Sequence, residues 1–199
     1  MNFDAGKPRL TSRNPRRIAI IGCGGSGKTV LANRLGATLN LPVTHLDALY
    51  YDDTWTPTPQ EEFAQRQRSL VAGESWIIDG NYASTLPIRL AAADTVLFLD
   101  LPPVTCLWGI ATRRLRHRGG QHARTGAYDR ITWDFIRYVY RYRQTMAPRV
   151  RGLIAEHAGH ATVLVLRSRR AINRWHADLP AQQPNSPHRG SPPEGPAPE

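Results

Sequence analysis

Cysteine is scarce in this sequence. Of 199 residues only Cys23 and Cys106 are cysteines, far apart and without metal-ligand spacing. That pattern excludes a disulfide framework and a zinc site. Long apolar runs are also missing, since no stretch approaches the ~20 residues a membrane helix needs. Residues 1–14 are polar and contain no apolar run, so they are not expected to act as a secretory signal, and the cytoplasm is the expected compartment. There is no internal repeat at solenoid periods. Apolar residues are thin from Pro180 to Glu199, which is mostly Pro, Gly, Ala, Gln and Ser, and that tail is expected to be disordered. A single domain of roughly 165 residues remains, from about Pro15 to Leu179. Acids are rare in one part of it. Between Val104 and Arg151 there are eleven arginines against two acids, Asp129 and Asp134, in a chain of net charge +10. So lopsided a segment points to a polyanionic partner, either nucleotide phosphates or nucleic acid. No helix-turn-helix, zinc-finger or RNA-binding signature accompanies it.

The sequence is rich in short apolar runs that alternate with helical patterns. Arg16 to Ile21, Pro42 to Asp47, Ser75 to Asp79, Thr95 to Asp100 and Thr162 to Leu166 read as strands, three of them ending in an acid. Leu31, Leu35 and Leu39 mark a helix from Lys28 to Leu39, stopped by Asn40-Leu41-Pro42. A second helix is expected from about Glu61 to Ala72. Val104, Leu107, Trp108, Ala111 and Leu115 share one face of a third. Ile131, Phe135, Tyr138, Tyr142 and Met146 share a face of a fourth, which Pro148 is expected to kink or end. Alternation of this kind predicts an α/β fold, a parallel sheet with helices on both faces and ligands beyond the carboxyl ends of its strands.

Gly22-Cys23-Gly24-Gly25-Ser26-Gly27-Lys28-Thr29 matches G-x-x-x-x-G-K-[ST] in full, between a strand and a helix. Gly22, Gly24, Gly25 and Gly27 let the backbone approach phosphate closely, and the N–H groups around Ser26 form an anion-binding nest. Lys28 supplies a point charge at the β/γ-phosphates, and Thr29 offers a hydroxyl to Mg²⁺. ATP with Mg²⁺ is therefore the expected cofactor pair.

The runs Arg17 to Thr29, His45 to Tyr50, Trp76 to Tyr82 and Val165 to Ser168 resemble the bacterial DNA topology modulation proteins, which are adenylate-kinase-like P-loop proteins. The likeness extends from about Arg16 to Trp175, and the His-Leu-Asp and Asp-Gly-Asn-Tyr segments are more specific than the phosphate loop alone. It implies a parallel sheet of about five strands, a substrate-binding insertion after the second strand, and an arginine-rich lid at about residues 119–130. It further implies that Asp79 serves Mg²⁺ and its waters, that Arg113 is a lid arginine, and that Arg167 lies in the loop holding the adenine.

Several other residues suit phosphoryl transfer, which needs positioning and charge neutralisation more than covalent chemistry. Arg113, Arg114, Arg116 and Arg118 precede Gly119-Gly120, a natural hinge. Asp47 is expected at a strand end, where it can accept a proton or bind substrate. His45 is a lone strand histidine, expected to be structural. Asn81, Tyr82 and Arg89 follow the third strand, with Arg89 a candidate ligand for an acceptor phosphate. Tyr50, Tyr51 and Trp55 open the insertion, where they either stack on substrate or pack locally. The expected function is ATP-dependent phosphotransfer to a small acceptor, a nucleotide or nucleoside. The alternative is a nucleic-acid-binding ATPase or DNA topology regulator, with aromatics and arginines interleaved from Trp133 to Arg143.

Overall fold

The computed structural model describes residues 15–51, 56–116 and 132–179. The lid segment 119–130 and the two terminal segments, 1–14 and 180–199, lie outside the described residues. The elements are β1 (Arg17–Gly22), α1 (Lys28–Leu39), β2 (Val43–His45), α2 (Leu46–Tyr50), α3 (Gln60–Val71), β3 (Trp76–Asp79), α4 (Leu86–Ala92), β4 (Thr95–Leu99), α5 (Pro103–Arg116), α6 (Trp133–His157), β5 (Thr162–Leu166) and α7 (Arg169–Ala177).

The five strands form one sheet in the order β2-β3-β1-β4-β5, with every pairing parallel. β1 lies at the centre with β3 on one side and β4 on the other, so the chain reverses its direction of travel across the sheet beside β1. Such a reversal opens a crevice at the strand ends. Ile18 to Ile21, Trp76 to Ile78 and Val96 to Leu99 are all buried, as expected of strands covered on both faces.

Two local expectations need correction. β2 ends at His45, and Leu46–Tyr50 is a short helix, so Asp47 stands in the first turn of α2 and not at a strand end. Arg89 follows the short loop after β3 and lies in α4, a helix whose seven residues are too few to show a clear period. Of the two outcomes expected at Pro148, α6 excludes ending, since it runs through that residue. Pro148 and Gln144 are both exposed, so water can satisfy the carbonyl that the proline leaves without a donor. The second correction concerns α5. Val104, Trp108 and Leu115 are 75%, 68% and 78% exposed, while Cys106 and Ile110 are buried. Most of the apolar stripe thus faces outward, Leu107 packs against the core, and the helix seats chiefly through Cys106 and Ile110.

Candidate active site

The phosphate loop joins β1 to α1. Gly25 and Gly27 have φ of +75° and +95°, a left-handed backbone that favours glycine. Gly27 is also the N-cap of α1, whose first turn holds no acid and no capping side chain. The helix therefore presents its free N–H groups and positive dipole end to the loop. Ser26 is 1% exposed with its hydroxyl turned toward Gly22, so it serves the loop through its backbone. Lys28 is half-buried, and its ammonium donates to the Cys23 carbonyl at 3.0 Å, closing the loop on itself.

α5 supports this loop from outside. A Cβ on Gly25 would collide with the Cys106 carbonyl, and one on Gly109 would collide with the Gly25 carbonyl. Loop and helix therefore meet backbone to backbone. The Cys106 thiol donates to the Leu101 carbonyl, and the interaction between Cys23 and Cys106 across the same contact pushes the pKa of Cys23 up and that of Cys106 down. Arg113 lies four residues beyond Gly109, on the same face of α5. It is half-buried, whereas Arg114 is exposed.

Asp79 ends β3 and is 3% exposed. The Thr29 hydroxyl donates to its Oδ2 at 2.9 Å. His45, its register partner on β2, meets Oδ1 through Nδ1 at 2.7 Å. The other ring nitrogen of His45 meets Asn33 Oδ1 at 3.2 Å, and Asn33 lies one turn beyond Thr29 on α1. With an ionised Asp79 accepting from Nδ1, donation from Nε2 to Asn33 requires the imidazolium. The hydrogen bond to Asp79 raises the pKa of His45 and favours that form, against the opposing effect of burial. Thr29 and Asp79 are hard oxygen donors beside the phosphate loop. Mg²⁺ in phosphoryl-transfer sites takes one or two protein oxygens and completes its shell with phosphate and water, so this pair fits it.

On the far side of β3, the Tyr82 hydroxyl donates to Asp47 Oδ1 at 2.7 Å. Asn81 donates to the Tyr138 hydroxyl and accepts from the Tyr142 hydroxyl, both at 3.0 Å. Tyr50, Phe63 and Tyr82 pack mutually with ring centroids 4.8–5.0 Å apart, so Tyr50 is local packing. Trp55 lies outside the described residues. Arg89 is fully buried and does not reach toward an acceptor. Its guanidinium donates to Gln67 Oε1 and to the carbonyls of Gly80 and Asn81, bracing the loop after β3 from behind.

Two arginines follow β5, and the structure separates them. Arg167 is exposed, with no hydrogen bond that ties it to the loop. Arg169 opens α7 and donates to the Gly25 carbonyl at 3.2 Å, lying across the phosphate loop and Gly109. The resemblance assigned Arg167 to the adenine, a role that the Arg169 contact does not address. The helix-capping Ser168, whose hydroxyl accepts from the Ala171 amide at 3.1 Å, was the available signal for Arg169, because it fixes where α7 begins. Sequence reasoning also left out His45 and Asn33, whose contacts depend on strand register and helix placement.

No family model matches the sequence, and no curated protein matches it. Solved structures do. Shikimate kinase from Acinetobacter baumannii, in complex with shikimate, is 14% identical, with 81% of this chain covering 89% of that one at a TM-score of 0.52. Shikimate kinase from Bacteroides thetaiotaomicron is 17% identical, with 83% of this chain covering 96% of that one at a TM-score of 0.49. An unliganded sugar kinase from a Janibacter species is 18% identical, with coverages of 82% and 95% and a TM-score of 0.48. The first of these shows the fold, and the chain shares the α/β architecture of that shikimate kinase.

Proposed function

We propose that this protein is an ATP- and Mg²⁺-dependent phosphotransferase acting on a small acceptor, a nucleotide or nucleoside. The observation that carries the reading is the 2.9 Å contact between Thr29 of the phosphate loop and Asp79 at the end of β3. It joins a phosphate-binding nest to a carboxylate at the place where a transferring phosphate must lie. Gly22 to Thr29 hold the ATP phosphates, and Lys28 exchanges the Cys23 carbonyl for a phosphate oxygen. Thr29 and Asp79 would hold Mg²⁺, which would supply charge neutralisation. Asp47 receives the acceptor's proton through the oxygen that Tyr82 does not occupy. Arg113 neutralises charge that develops on the transferring group, and Arg169, with Arg167 beside it, borders the nucleotide. The resemblance of the His45–Tyr50 and Trp76–Tyr82 segments to topology modulation proteins agrees with this reading and adds no acceptor to it. The compartment proposed is the cytoplasm, and among the described residues no helix is long and apolar enough to cross a membrane.

Calorimetry with Mg·ATP tests the reading. Lys28→Met is expected to lower affinity or turnover by about a hundredfold or more while the fold survives, because a charge-assisted contact with phosphate is lost. Unchanged binding by a folded variant would end the phosphate-loop assignment.

One observation favours a second reading, nucleic-acid binding. Trp133 and Tyr140 on α6 are 84% and 63% exposed, among exposed Arg137, Arg141 and Arg143. Under the kinase reading, single-stranded DNA binds weakly and Arg113→Ala lowers turnover about a thousandfold, in line with other charge-stabilising arginines. Tight binding at physiological salt, weakened by Arg137 or Arg141 substitutions with a reduced salt slope, would favour the second reading instead.

A further inference from the structure

The two oxygens of Asp79 are held by groups that stand at different heights along α1. The Thr29 hydroxyl, in the first turn of that helix, donates to Oδ2 at 2.9 Å. Oδ1 meets His45 Nδ1 at 2.7 Å, and because an ionised carboxylate only accepts, the ring nitrogen donates. The same ring reaches Asn33 Oδ1 through Nε2 at 3.2 Å. Asn33 lies one turn further along α1 than Thr29, away from the phosphate loop. The carboxylate therefore lies alongside the helix, with Oδ2 toward the loop and Oδ1 away from it. Three features hold it so. His45 is the register partner of Asp79 across β2 and β3, which fixes the spacing of the two backbones. Their side chains are 16% and 4% exposed, so water has little access as a substitute partner. Asn33 anchors the far side of the ring.

A carboxylate can hold a cation with one oxygen or with two. Mg²⁺ is small, demands octahedral order and keeps much of its water, so it takes carboxylate oxygens singly in phosphate sites. Ca²⁺ is larger, accepts irregular shells and is often chelated by both oxygens of one carboxylate. Selection between the two ions therefore rests on how many oxygens a site offers and how freely they turn. Resting on the proposed Mg²⁺-dependent phosphotransfer, we infer that His45 is a positioning residue that selects the metal. By holding Oδ1 it leaves Asp79 a single oxygen, Oδ2, beside Thr29, and so favours Mg²⁺ over Ca²⁺. Without the ring, the carboxylate would be free to turn about its last side-chain bond and offer both oxygens to the phosphate side. Asn33 has a share in this selection, because it keeps the ring from swinging away with the oxygen it holds.

Displacement of Mn²⁺ from the full chain with ADP, followed by electron paramagnetic resonance, tests this. Mg²⁺ and Ca²⁺ are titrated in turn, and the ratio of the concentrations that release half the Mn²⁺ is compared among variants. Chelation by free ADP is common to all of them and cancels. His45→Leu is expected to lower the preference for Mg²⁺ about tenfold, the scale of losing a group that orients a metal ligand. His45→Asn places an amide N–H where Nδ1 stood and is expected to bring the preference back to within about threefold of the native chain. Asn33→Ala, at an exposed position outside the core, should shift the ratio in the same direction as His45→Leu by about threefold. An unchanged ratio in Asn33→Ala, or in a folded His45→Leu, would overturn the inference. So would an equal loss in His45→Leu and His45→Asn, since the ring would then serve only as packing. A native chain that binds ADP but no Mn²⁺ would instead bring down the Mg²⁺ reading beneath the inference, and the inference with it.

Discussion

Asp79 ends β3 and Asp100 follows β4, on the two sides of β1 in the same sheet, and they are almost equally buried at 3% and 1% exposure. Their partners set them apart. Both oxygens of Asp100 are held by guanidinium groups from α6, by Arg143 at 3.1 Å and Arg151 at 2.5 Å. Asp79 touches a threonine hydroxyl and an imidazole. Asp100 is a clamp. It fixes to β4 the helix that carries Phe135 to the phosphate loop and Tyr138 and Tyr142 to Asn81. Asp79 keeps a partner, Thr29, that a cation can share. Burial and strand-end position are common to both acids, so neither marks a site, and the distinction lies in what each carboxylate can release.

Within this comparison, substitution at Asp79 should produce the largest effect on turnover. Asp79→Asn keeps the shape and removes the charge, and it is expected to lower Mg²⁺-dependent turnover by about 10²–10³-fold, the scale of losing one electrostatic contact in a preorganised site. Its melting temperature should stay near that of the native chain. Steady-state rates across a Mg²⁺ titration check this, and a native rate would make Asp79 only a turn residue. Asp100→Ala should invert the pattern. It leaves two arginines facing an empty position, and because both are partly exposed the cost falls below the full buried-pair range, at about 2 kcal/mol. Urea denaturation measures it, and the folded fraction should keep turnover within a few-fold.

The smallest effect sharpens the comparison through pH. The folded-state pKa of His45 is raised above its ordinary 6.5 by Asp79. The stability this pair contributes is therefore present in full below that ordinary value and is lost as pH rises through the raised one. In metal-free protein, the melting difference between the native chain and His45→Gln should be widest near about pH 6 and should shrink as pH rises. Asp100 has no histidine among its partners in the described residues, so Arg143→Gln should show no such dependence. A His45→Gln difference that is flat with pH would remove the charged pair.

The readable parts of the molecule were those fixed by local sequence. The apolar runs of β1, β3 and β4 gave strands buried on both faces, and Gly22 to Thr29 gave a loop that could take one form. Contacts across elements were harder to read. The stripe at Val104, Trp108 and Leu115 has the spacing of a core face, yet the helix is seated by Cys106, Gly109 and Ile110, because a glycine allows closer approach than any apolar side chain. Arg89 looked like a substrate ligand because arginine is normally exposed. Its burial depends on Gln67 and two carbonyls that only the fold assembles. His45 paired with Asp79 through strand register, which no motif encodes.

The contact between Gly25 and Gly109 carries a consequence for anyone altering this chain. Alanine in place of glycine within a helix is ordinarily an improvement of about 0.4–1 kcal/mol. At Gly109 the added methyl would push directly on the Gly25 carbonyl and tilt the amides that cradle phosphate. A scan of tolerated substitutions would therefore score Gly109 alongside the nucleotide loop, although no side chain there can touch a nucleotide. Redesigning α5, whether to rigidify it or to attach a reporter, amounts to retuning the donor site.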